Sequence, residues 1–439
     1  MDIQTGYAVT ADDVYIAYQT AGDGPIDIVW QPDWPGNIDF EWEAPVSGRF
    51  LKELASFARV IVHDQRGIGL SSRNVPPGDL ETRVADLGVV LDAVGAHRVV
   101  LGGEHPTGAV NALFAATYPQ RVLSLIWVEP SARSLWAPDY PWGVGQDYRE
   151  ADLAALEHWG TNTYGEMLLE YQRRFGNLIP DEVAPAFSKQ SRNACTPDVA
   201  QRLSLIWYET DVRAVLPAIR VPTLILERGV DPEVEYTASL IPGAVVRNLP
   251  EGEWSDEHIS DQLDEIRTFV GVEVPRPALD SVLATVLFTD IVDSTARQAA
   301  LGDAAWKSLI ERHHALVRDA LERWRGAEVD TAGDGFYATF EGPARAVRCA
   351  RDLQERVRSL GLEVRAGVHV GECTVIDGKI GGLPVTIGAR IAATANGSEV
   401  LVSQTVKDLV PGSGLAFEDA GEHELKGVPD RWHLYRVVD

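Results

Sequence analysis

Short apolar runs alternate with stretches of helical period over the first 270 residues. Five of these runs have the length and composition of buried strands: IDIVW, RVIVHD, RVVLGG, VLSLIWVE and VPTLILE. Buried strands that alternate with helices predict a largely parallel sheet covered by helices on both faces. The interval between the fourth and fifth runs is helical and rich in tryptophan, which predicts an inserted helical cap at about 130–215. We therefore expect an α/β domain over residues 1–270.

The pattern changes after residue 280. SVLATVLFTDIV is a strand-like run, and apolar residues then recur at helical spacing from Trp306 to Trp324. AEVDTAGDGFYATF predicts a hairpin, and a second amphipathic helix begins at Pro343 before further strand-like runs. These features predict a separate α+β domain at 281–439. Residues 271–280 hold two prolines without a clear period, which predicts a linker.

Composition and charge narrow the range of partners. The 439 residues carry a net charge of −26, which disfavours non-specific attraction to nucleic acid or anionic lipid. A polyanionic substrate would therefore need a locally cationic or metal-lined site. The three cysteines lie far apart and suggest neither a disulfide framework nor a zinc site. Because no apolar run approaches the roughly 20 residues of a membrane span and no signal-like leader opens the chain, we expect a cytoplasmic protein without a nucleic-acid or membrane partner.

A turn of small residues, GGEHPTG, joins a buried strand to an Ala-rich helix. Together with RVIVHDQRGIGLSS, VPTLILERGVDPEV and RNLPEGEW, this turn resembles parts of the α/β-hydrolase fold over roughly residues 10–270. In that family a serine stands at the apex of the turn, where a histidine activates it and a carboxylate orients the histidine. The resemblance therefore implies an α/β-hydrolase fold with a helical cap.

The catalytic positions depart from that family's pattern. His105 stands at the apex and Trp254 where the histidine belongs, although His258 is close by; only Asp231 matches, as the acid. An imidazole nucleophile would make the chain an esterase with a regulatory second domain. The replacement of two of the three catalytic residues favours a non-catalytic, regulatory domain instead. A cavity under the cap would suit a small apolar ligand, lined by these tryptophans unless they only pack the core: Trp34, Trp136, Trp142, Trp159 and Trp207.

Two aspartates in the second half stand at positions that suit metal chemistry. Asp290 lies near the end of the strand-like run LFTDI, and Asp334 lies in the Gly-flanked turn TAGDGF. Singly, such residues are commonly a helix cap and a turn former. Taken with RAGVHVGE, GARIAATA, EVLVS and HELKGV in the same order, they resemble the class III nucleotidyl cyclase domain over 281–439. That resemblance implies a ferredoxin-like βαββαβ core, and the two halves together are similar to hydrolase–cyclase fusions of the mycobacterial type.

The cyclase resemblance implies two Mg²⁺ or Mn²⁺ ions per active site. Asp290, Asp334 and the carbonyl of Ile291 would hold them, and oxygen ligands suit these cations. The helix start at Ser294 and Thr295 would suit phosphate oxygens, because helix N-termini favour anions. The reaction implied is attack of the ribose O3′ on the α-phosphorus, which gives a 3′,5′-cyclic nucleotide and pyrophosphate.

A second group of residues would complete the site from a partner chain. Arg390 matches the family's arginine, which stabilises charge on the α-phosphate, whereas Thr386 stands where the family has an asparagine. Threonine can still donate one hydrogen bond, so we expect slower turnover rather than none. Lys426 either contacts the β- and γ-phosphates or is an ordinary surface lysine. A chain that holds both groups can form a homodimer with two sites.

The residues expected to recognise the base leave the substrate open. Adenine-specific relatives use a lysine and an aspartate, but this chain has Asp330 at the first position and Lys379 near the second, with Asp377 as an alternative. A swapped pair matches the donors and acceptors of guanine better than those of adenine. The family precedent favours ATP, the pairing favours GTP, and a catalytically dead nucleotide-binding fold is a further alternative.

Overall fold

The computed structural model describes residues 1–31, 36–44, 47–174, 184–249, 256–271, 281–376 and 379–438. The chain divides into two compact units, Met1–Pro277 and Ala278–Asp439. The linker expected at 271–280 lies outside the described residues except for its first position. Each unit is therefore described by itself.

The first unit is built on a sheet that has eight strands within the described residues. They are β1 (Ile3–Val9), β2 (Tyr15–Ala21), β3 (Asp27–Gln31), β4 (Arg59–His63), β5 (Val99–Glu104), β6 (Val122–Val128), β7 (Thr223–Arg228) and β8 (Val245–Leu249). Their order is β1-β2-β4-β3-β5-β6-β7-β8. Strand β2 runs antiparallel to both neighbours, and the later strands are parallel, so the largely parallel sheet predicted from the apolar runs is confirmed.

Helices cover both faces of this sheet and form the cap. They are α1 (Ile38–Glu41), α2 (Ser47–Leu54), α3 (Leu80–Ala93), α4 (Gly108–Thr117), α5 (Gln146–Ala155), α6 (Asn162–Arg174), α7 (Ala184–Ala194), α8 (Pro197–Glu209), α9 (Pro232–Ser239) and α10 (Asp256–Val270). Helices α5–α8 all fall between β6 and β7, and they share a core cluster that contains Trp159, Tyr164 and Leu203. The strand ends of β3, β4 and β5 lie beneath these connections, where parallel sheets commonly hold their sites.

The second unit contains a mostly antiparallel sheet. Its strands are β9 (Ser281–Ile291), β10 (Ala327–Ala332), β11 (Gly335–Phe340), β12 (Val364–Ile376), β13 (Lys379–Gly381), β14 (Val400–Ser403), β15 (Ala416–Glu424) and β16 (Arg431–Val438). The order is β10-β11-β9-β12-β14-β16-β15, with β13 paired to β12 and only the β12–β14 pair parallel among the described strands. The segment β10-β11-β9-β12 is the ferredoxin-like arrangement, so the predicted βαββαβ core is confirmed.

Helices lie on both faces of the second sheet. They are α11 (Ser294–Leu301), α12 (Asp303–Arg323), α13 (Pro343–Val357), α14 (Leu383–Thr394) and α15 (Gln404–Leu409). Val357 of α13 packs with Ile291 and Val364 on one face. On the other face α14 approaches closely, because a Cβ at Gly388 would lie 2.6 Å from Val286 Cγ2 and one at Gly367 would lie 2.2 Å from the Ala392 nitrogen. These two glycines fix α14 against β9 and β12.

Two further features bear on the expectations from composition. The helices of the described segments are all too short or too polar to cross a membrane.

Cys195, Cys349 and Cys373 are buried free thiols, and burial raises the pKa of each, to about 12, 12 and 11. Buried thiols with raised pKa values are poor nucleophiles and metal ligands, so they belong to the packing of the two cores.

Candidate active site

The two aspartates singled out in the second half lie side by side. Strand β11 pairs with β9 so that Phe336 is opposite Thr289, and a Cβ at Gly335 would lie 3.8 Å from Asp290 Oδ1. The turn before β11 brings Asp334 to the end of β9, where its carboxylate accepts a hydrogen bond of 3.2 Å from the Ile291 amide. Gly333 in this turn has a φ of 64°, which glycine adopts without strain. The hairpin geometry therefore brings the two carboxylates together.

Partial burial and a like charge destabilise the ionised form of Asp334. Burial raises the pKa of this carboxyl above its ordinary value, and the negative charge of Asp290 raises it further. Hydrogen bonds from the Ser294 hydroxyl and the Ile291 amide act in the opposite direction without cancelling the shift. A divalent cation between the carboxylates would remove the repulsion.

A third charged residue, Arg365, completes this end of the sheet. It lies directly opposite Asp290 on β12, and its Nη2 and Nε donate to Asp290 Oδ2 at 2.6 and 3.1 Å. Its Nη1 is 3.4 Å from the carbonyl oxygen of Ala393 at the end of α14. The sequence reasoning missed this residue, although it begins the stretch RAGVHVGE, because strand register cannot be read from one sequence.

The oxygen donors at this site suit a small divalent cation. Asp290, Asp334 and the main chain at Ile291 offer oxygen ligands, which Mg²⁺ and Mn²⁺ prefer. No cluster of three or more histidine, cysteine or acidic side chains that could hold a metal exists in the described parts of the chain. Mg²⁺ is commonly held by one or two carboxylates together with substrate phosphates, so the residues present fit the expected ions.

The start of α11 lies beside the carboxylates. Asp293, just before the helix, has a left-handed backbone with φ 55°. The Ser294 hydroxyl bonds to the Asp334 carboxylate, whereas Thr295 is exposed in the first turn. Ser294 therefore positions Asp334 in this structure, and the helix N-terminus faces the same region.

The residues expected to act on the α-phosphate lie on α14. Thr386 and Arg390 are four residues apart, hence on one face of the helix, and both are exposed. Lys426 is exposed in the turn after β15, and the preceding Leu425 packs in a cluster with Ile387 of α14. The structure thus divides the expected residues into two groups: the carboxylate group of Asp290, Ile291, Asp334, Ser294 and Thr295, and the α14 group of Thr386, Arg390 and Lys426.

Of the residues expected to recognise the base, Asp330 lies with its side chain in the described part of the chain. Asp330 is exposed on β10 and pairs with Tyr337, whose hydroxyl donates 3.1 Å to the carbonyl oxygen of Ile380 on β13. The Tyr337 ring stacks on Phe288 at 4.6 Å between centroids. The backbone of Lys379 begins β13, but its side chain and Asp377 lie outside the described part of the chain.

The turn in the first unit keeps an elbow shape without a serine. His105 has a φ of 44°, a strained value for a residue with a side chain, and its carbonyl accepts 2.7 Å from Trp127 Nε1. The acid beside it is Glu129, with 3.5 Å between His105 Nε2 and the carboxylate. Asp231, expected as the acid, instead caps α9 by accepting from the Glu233 amide at 2.8 Å. Trp254 lies outside the described residues, as does the side chain of His258.

Most of the tryptophans expected to line a cavity under the cap do not line it, so that prediction is wrong for them. Trp136 and Trp142 are exposed, and Trp159 packs inside the cap with its Nε1 donating to the Cys195 carbonyl. Of the five tryptophans only Trp207 lines the cavity formed by the described residues, and Trp34 falls outside them. The four described indoles are too widely spread to converge on one space.

Comparison with known families agrees with both halves of this architecture. Residues 34–250 match the family model of the alpha/beta hydrolase fold, and residues 277–438 match that of the adenylate and guanylate cyclase catalytic domain. The chain therefore belongs to the proteins that join an α/β-hydrolase fold to a class III adenylate/guanylate cyclase domain.

Individual relatives cover parts of the chain. An uncharacterized protein of Mycobacterium tuberculosis is 32% identical over 133 residues, 30% of this chain and 35% of that protein. A receptor-type adenylate cyclase of Trypanosoma brucei brucei is 26% identical over 204 residues, 35% of this chain and 16% of the relative. The chain thus spans about a third or less of these relatives. A bromoperoxidase structure from Bacillus anthracis shares the fold of the first unit, with a TM-score of 0.52 and 20% identity over 61% of this chain and 100% of that one.

Proposed function

We propose that the second unit is a nucleotidyl cyclase that converts a purine nucleoside triphosphate to its 3′,5′-cyclic monophosphate and pyrophosphate. The observation that carries this proposal is the pair of carboxylates at Asp290 and Asp334, held by the hairpin beside Arg365. The match to the cyclase catalytic domain and the name of the trypanosome relative support the same reaction class. The catalytically dead fold is the main alternative.

Each group in the site has a role that follows from its chemistry. Asp290, Asp334 and the Ile291 carbonyl would hold Mg²⁺ or Mn²⁺, which when bound neutralises the triphosphate and lowers the pKa of the ribose 3′-hydroxyl. Arg365 supplies a fixed positive charge where the phosphates enter, and the start of α11 offers amide donors to phosphate oxygens.

The residues of α14 act at the reacting phosphorus. Arg390 stabilises the charge that develops on the α-phosphate, and Thr386 donates one hydrogen bond near the ribose. Threonine replaces a bidentate amide with a single donor, so turnover is slower than with asparagine. Lys426 lies on the α14 side and reaches the terminal phosphates.

A homodimer with two sites supplies both groups to each substrate. The α14 residues are exposed in the single chain, and so is Leu383 at the helix start, which is 50% exposed. Phe288, Tyr337 and Val385 add a partly exposed apolar surface on the same side of the sheet. An isologous contact through this surface would bring the carboxylate group of one chain to the α14 group of the other, twice per dimer.

ATP is the substrate by precedent in the family, and one observation favours GTP as the second candidate. Asp330 is exposed on β10 opposite Tyr337, whose hydroxyl donates to the β13 backbone, so a carboxylate rather than a lysine stands at the position expected to recognise the base. A carboxylate accepts from guanine N1–H and the exocyclic amine, whereas adenine N1 is itself an acceptor. The elbow of the hydrolase-like unit lacks the serine that hydrolysis would need, and we propose that this unit instead binds a ligand and regulates the cyclase reaction.

The test is cyclic nucleotide and pyrophosphate release by the full chain with Mn²⁺ and either ATP or GTP. We expect both products in equal amounts, and a loss of at least about 100-fold in Asp290→Ala and in Asp334→Ala. Asp319→Ala, an exposed carboxylate of α12 in the same unit, is the matched control and should retain activity. Nucleotide binding without products would support the dead fold, and turnover that survives both aspartate changes would overturn the assignment.

A further inference from the structure

A cavity of about 80 Å³ lies in the first unit, between the sheet and the cap. Its polar wall comes from the ends of β3 and β4 and from α3: Gln31, His63, Asp64 and Arg83. Its apolar wall includes Leu80, Val110, Leu203 and Ile206, the last two from cap helix α8. One water molecule needs about 10–15 Å³ on the same measure, so this cavity has room for a ligand of several non-hydrogen atoms. It is distinct from the elbow residue His105, which does not line it among the described residues.

Several buried polar atoms on residues that line this cavity have no hydrogen-bond partner within the described residues. They are both amide atoms of Gln31, Nδ1 of His63, and Nε and Nη2 of Arg83. Gln31 is 3% exposed and His63 is 6% exposed, so bulk water does not satisfy them. A buried polar group without a partner costs about 1–3 kcal/mol, more when charged, so several around one space indicate a ligand with matching groups.

Donors predominate among these atoms. Gln31 offers its amide hydrogens, and Arg83 offers the edge formed by Nε and Nη2, which is one of the edges that grip a carboxylate through two parallel hydrogen bonds. Burial lowers the pKa of Arg83 to about 10, so its guanidinium is still charged at neutral pH. The pKa of His63 falls to about 4 through burial, which leaves its ring neutral.

The acidic side chains around Arg83 and the cavity accept hydrogen bonds from other residues. Asp86 accepts from Arg66 at 2.7 Å, and Asp79 caps α3 by accepting from the Thr82 amide at 2.8 Å. Asp64 accepts from two backbone amides, and burial raises its pKa to about 7. Glu41 accepts from Gln190 on α7 at 2.8 Å.

Arg133, the other arginine in the lining, is paired with Asp211 at 2.7 Å. These partnerships leave Nε and Nη2 of Arg83 without an acidic partner among the described residues. The acids in and around the wall, Glu41 and Asp64, oppose a doubly charged phosphate more strongly than a single carboxylate.

We propose that this cavity binds a short aliphatic monocarboxylate, with its carboxylate on Arg83 and Gln31 and its chain against Leu80, Val110 and Ile206. The polar wall selects a carboxylate as the head group of the ligand, and the small volume limits its aliphatic chain to a few carbons. This ligand replaces the small apolar molecule expected for a cavity under the cap. It deepens the proposed regulatory role of the first unit, but the binding itself does not depend on cyclase activity.

The test measures binding to the full chain by calorimetry and thermal shift, with acetate, butyrate, isovalerate and octanoate as probes. We expect butyrate and isovalerate to bind and to raise Tm, acetate and octanoate to bind at least about 10-fold more weakly, and the neutral butyramide not to compete. Arg83→Met should abolish binding while Tm without ligand stays the same or rises, because an unpaired buried charge is removed. Gln31→Leu should weaken binding about 3- to 10-fold.

Matched variants separate this proposal from the cyclase assignment. Arg121→Met removes an arginine from an exposed ion pair of the same unit and should bind butyrate like the wild type. Asp290→Ala should also bind it normally, since that residue belongs to the other unit. Equal binding of butyramide, stabilisation by inorganic phosphate but not by carboxylates, or unchanged butyrate affinity in Arg83→Met would each overturn the inference.

Discussion

Arg365 and Asp290 lie directly opposite each other on neighbouring antiparallel strands, with 2.6 Å between Nη2 and Oδ2. The pair neutralises one of two adjacent carboxylates, and Arg365 also reaches the end of α14 through the Ala393 carbonyl. Both side chains are about one-third exposed, so the pair contributes little to folding stability, about 0–1 kcal/mol. In the proposed function, a triphosphate and its cations would take over the contacts of these two charges.

Substitution of Arg365 should therefore affect turnover far more than stability. We expect Arg365→Ala to lower kcat/KM about 100-fold or more with Tm nearly unchanged, and Arg365→Lys to recover part of the loss. The measurement is steady-state cyclic nucleotide formation beside a thermal melt. Arg431→Ala, which breaks an exposed pair with Glu422 at the far edge of the same sheet, should leave both unchanged. A normal rate in Arg365→Ala would exclude this arginine from the site.

A dimeric site predicts complementation between two inactive chains. Asp290→Ala lacks the carboxylate group and Arg390→Ala lacks the α14 group, so each homodimer should be inactive. Random exchange makes half of the dimers mixed, each with one intact site of two, so the mixture should regain about a quarter of the wild-type rate. The measurement is activity after equilibration of the two variants. No recovery despite demonstrated subunit exchange would contradict the shared site, as would constant specific activity on dilution to monomer.

The raised pKa of Asp334 predicts how metal affinity and stability depend on pH. The folded chain holds the Asp334 proton more tightly than the unfolded chain, so without metal stability falls as pH rises from the ordinary value of 3.8 through the raised pKa. Metal binding displaces this proton, and Mg²⁺ affinity should therefore increase with pH across the same window.

Asp334→Asn tests this relationship. The amide can still accept from the Ile291 amide but carries no charge, so without metal Tm should be equal or higher at pH 7 and its decline with pH should be reduced. Stabilisation by Mg²⁺ should disappear, and activity should fall at least about 100-fold. Thermal melts from pH 4 to 8, with and without Mg²⁺, provide the readout. A variant that Mg²⁺ still stabilises as the wild type would remove Asp334 from the metal site.

Base selection should depend on Asp330. A carboxylate at this position disfavours adenine, whose N1 is an acceptor, so Asp330→Lys should shift the ATP-to-GTP ratio of kcat/KM toward ATP by about 10-fold or more. The measurement compares both nucleotides for wild type and variant. Asp303→Lys, which makes the same change at the start of α12, is the control and should not alter the ratio. An unchanged ratio in Asp330→Lys would mean that this residue does not contact the base.

The architecture of both units could be predicted because apolar periodicity and the order of the motifs can be read directly from one sequence. Asp290 and Asp334 could be predicted as site residues because each stands at a recognisable strand end or turn. The sequence could not supply Arg365, whose position depends on the register of β9 against β12. Nor could the sequence show that Asp231 caps a helix while Glu129 lies beside His105. The conformation of the loops decides which acid approaches the histidine, and residue spacing does not reveal that conformation.

The first unit should lack ester hydrolysis, and a serine at the elbow should not restore it. His105 has Glu129 beside it, but that carboxylate is also paired with Arg228 at 3.0 Å, and Asp231 is engaged at the start of α9. A serine at position 105 would need a base oriented by a free acid, which neither carboxylate provides. We expect hydrolysis of p-nitrophenyl butyrate by wild type, His105→Ala and His105→Ser to match the heat-denatured protein, with cyclase activity preserved in all three. A burst of nitrophenol that His105→Ala removes would instead show that the imidazole is a nucleophile and that the unit is an esterase.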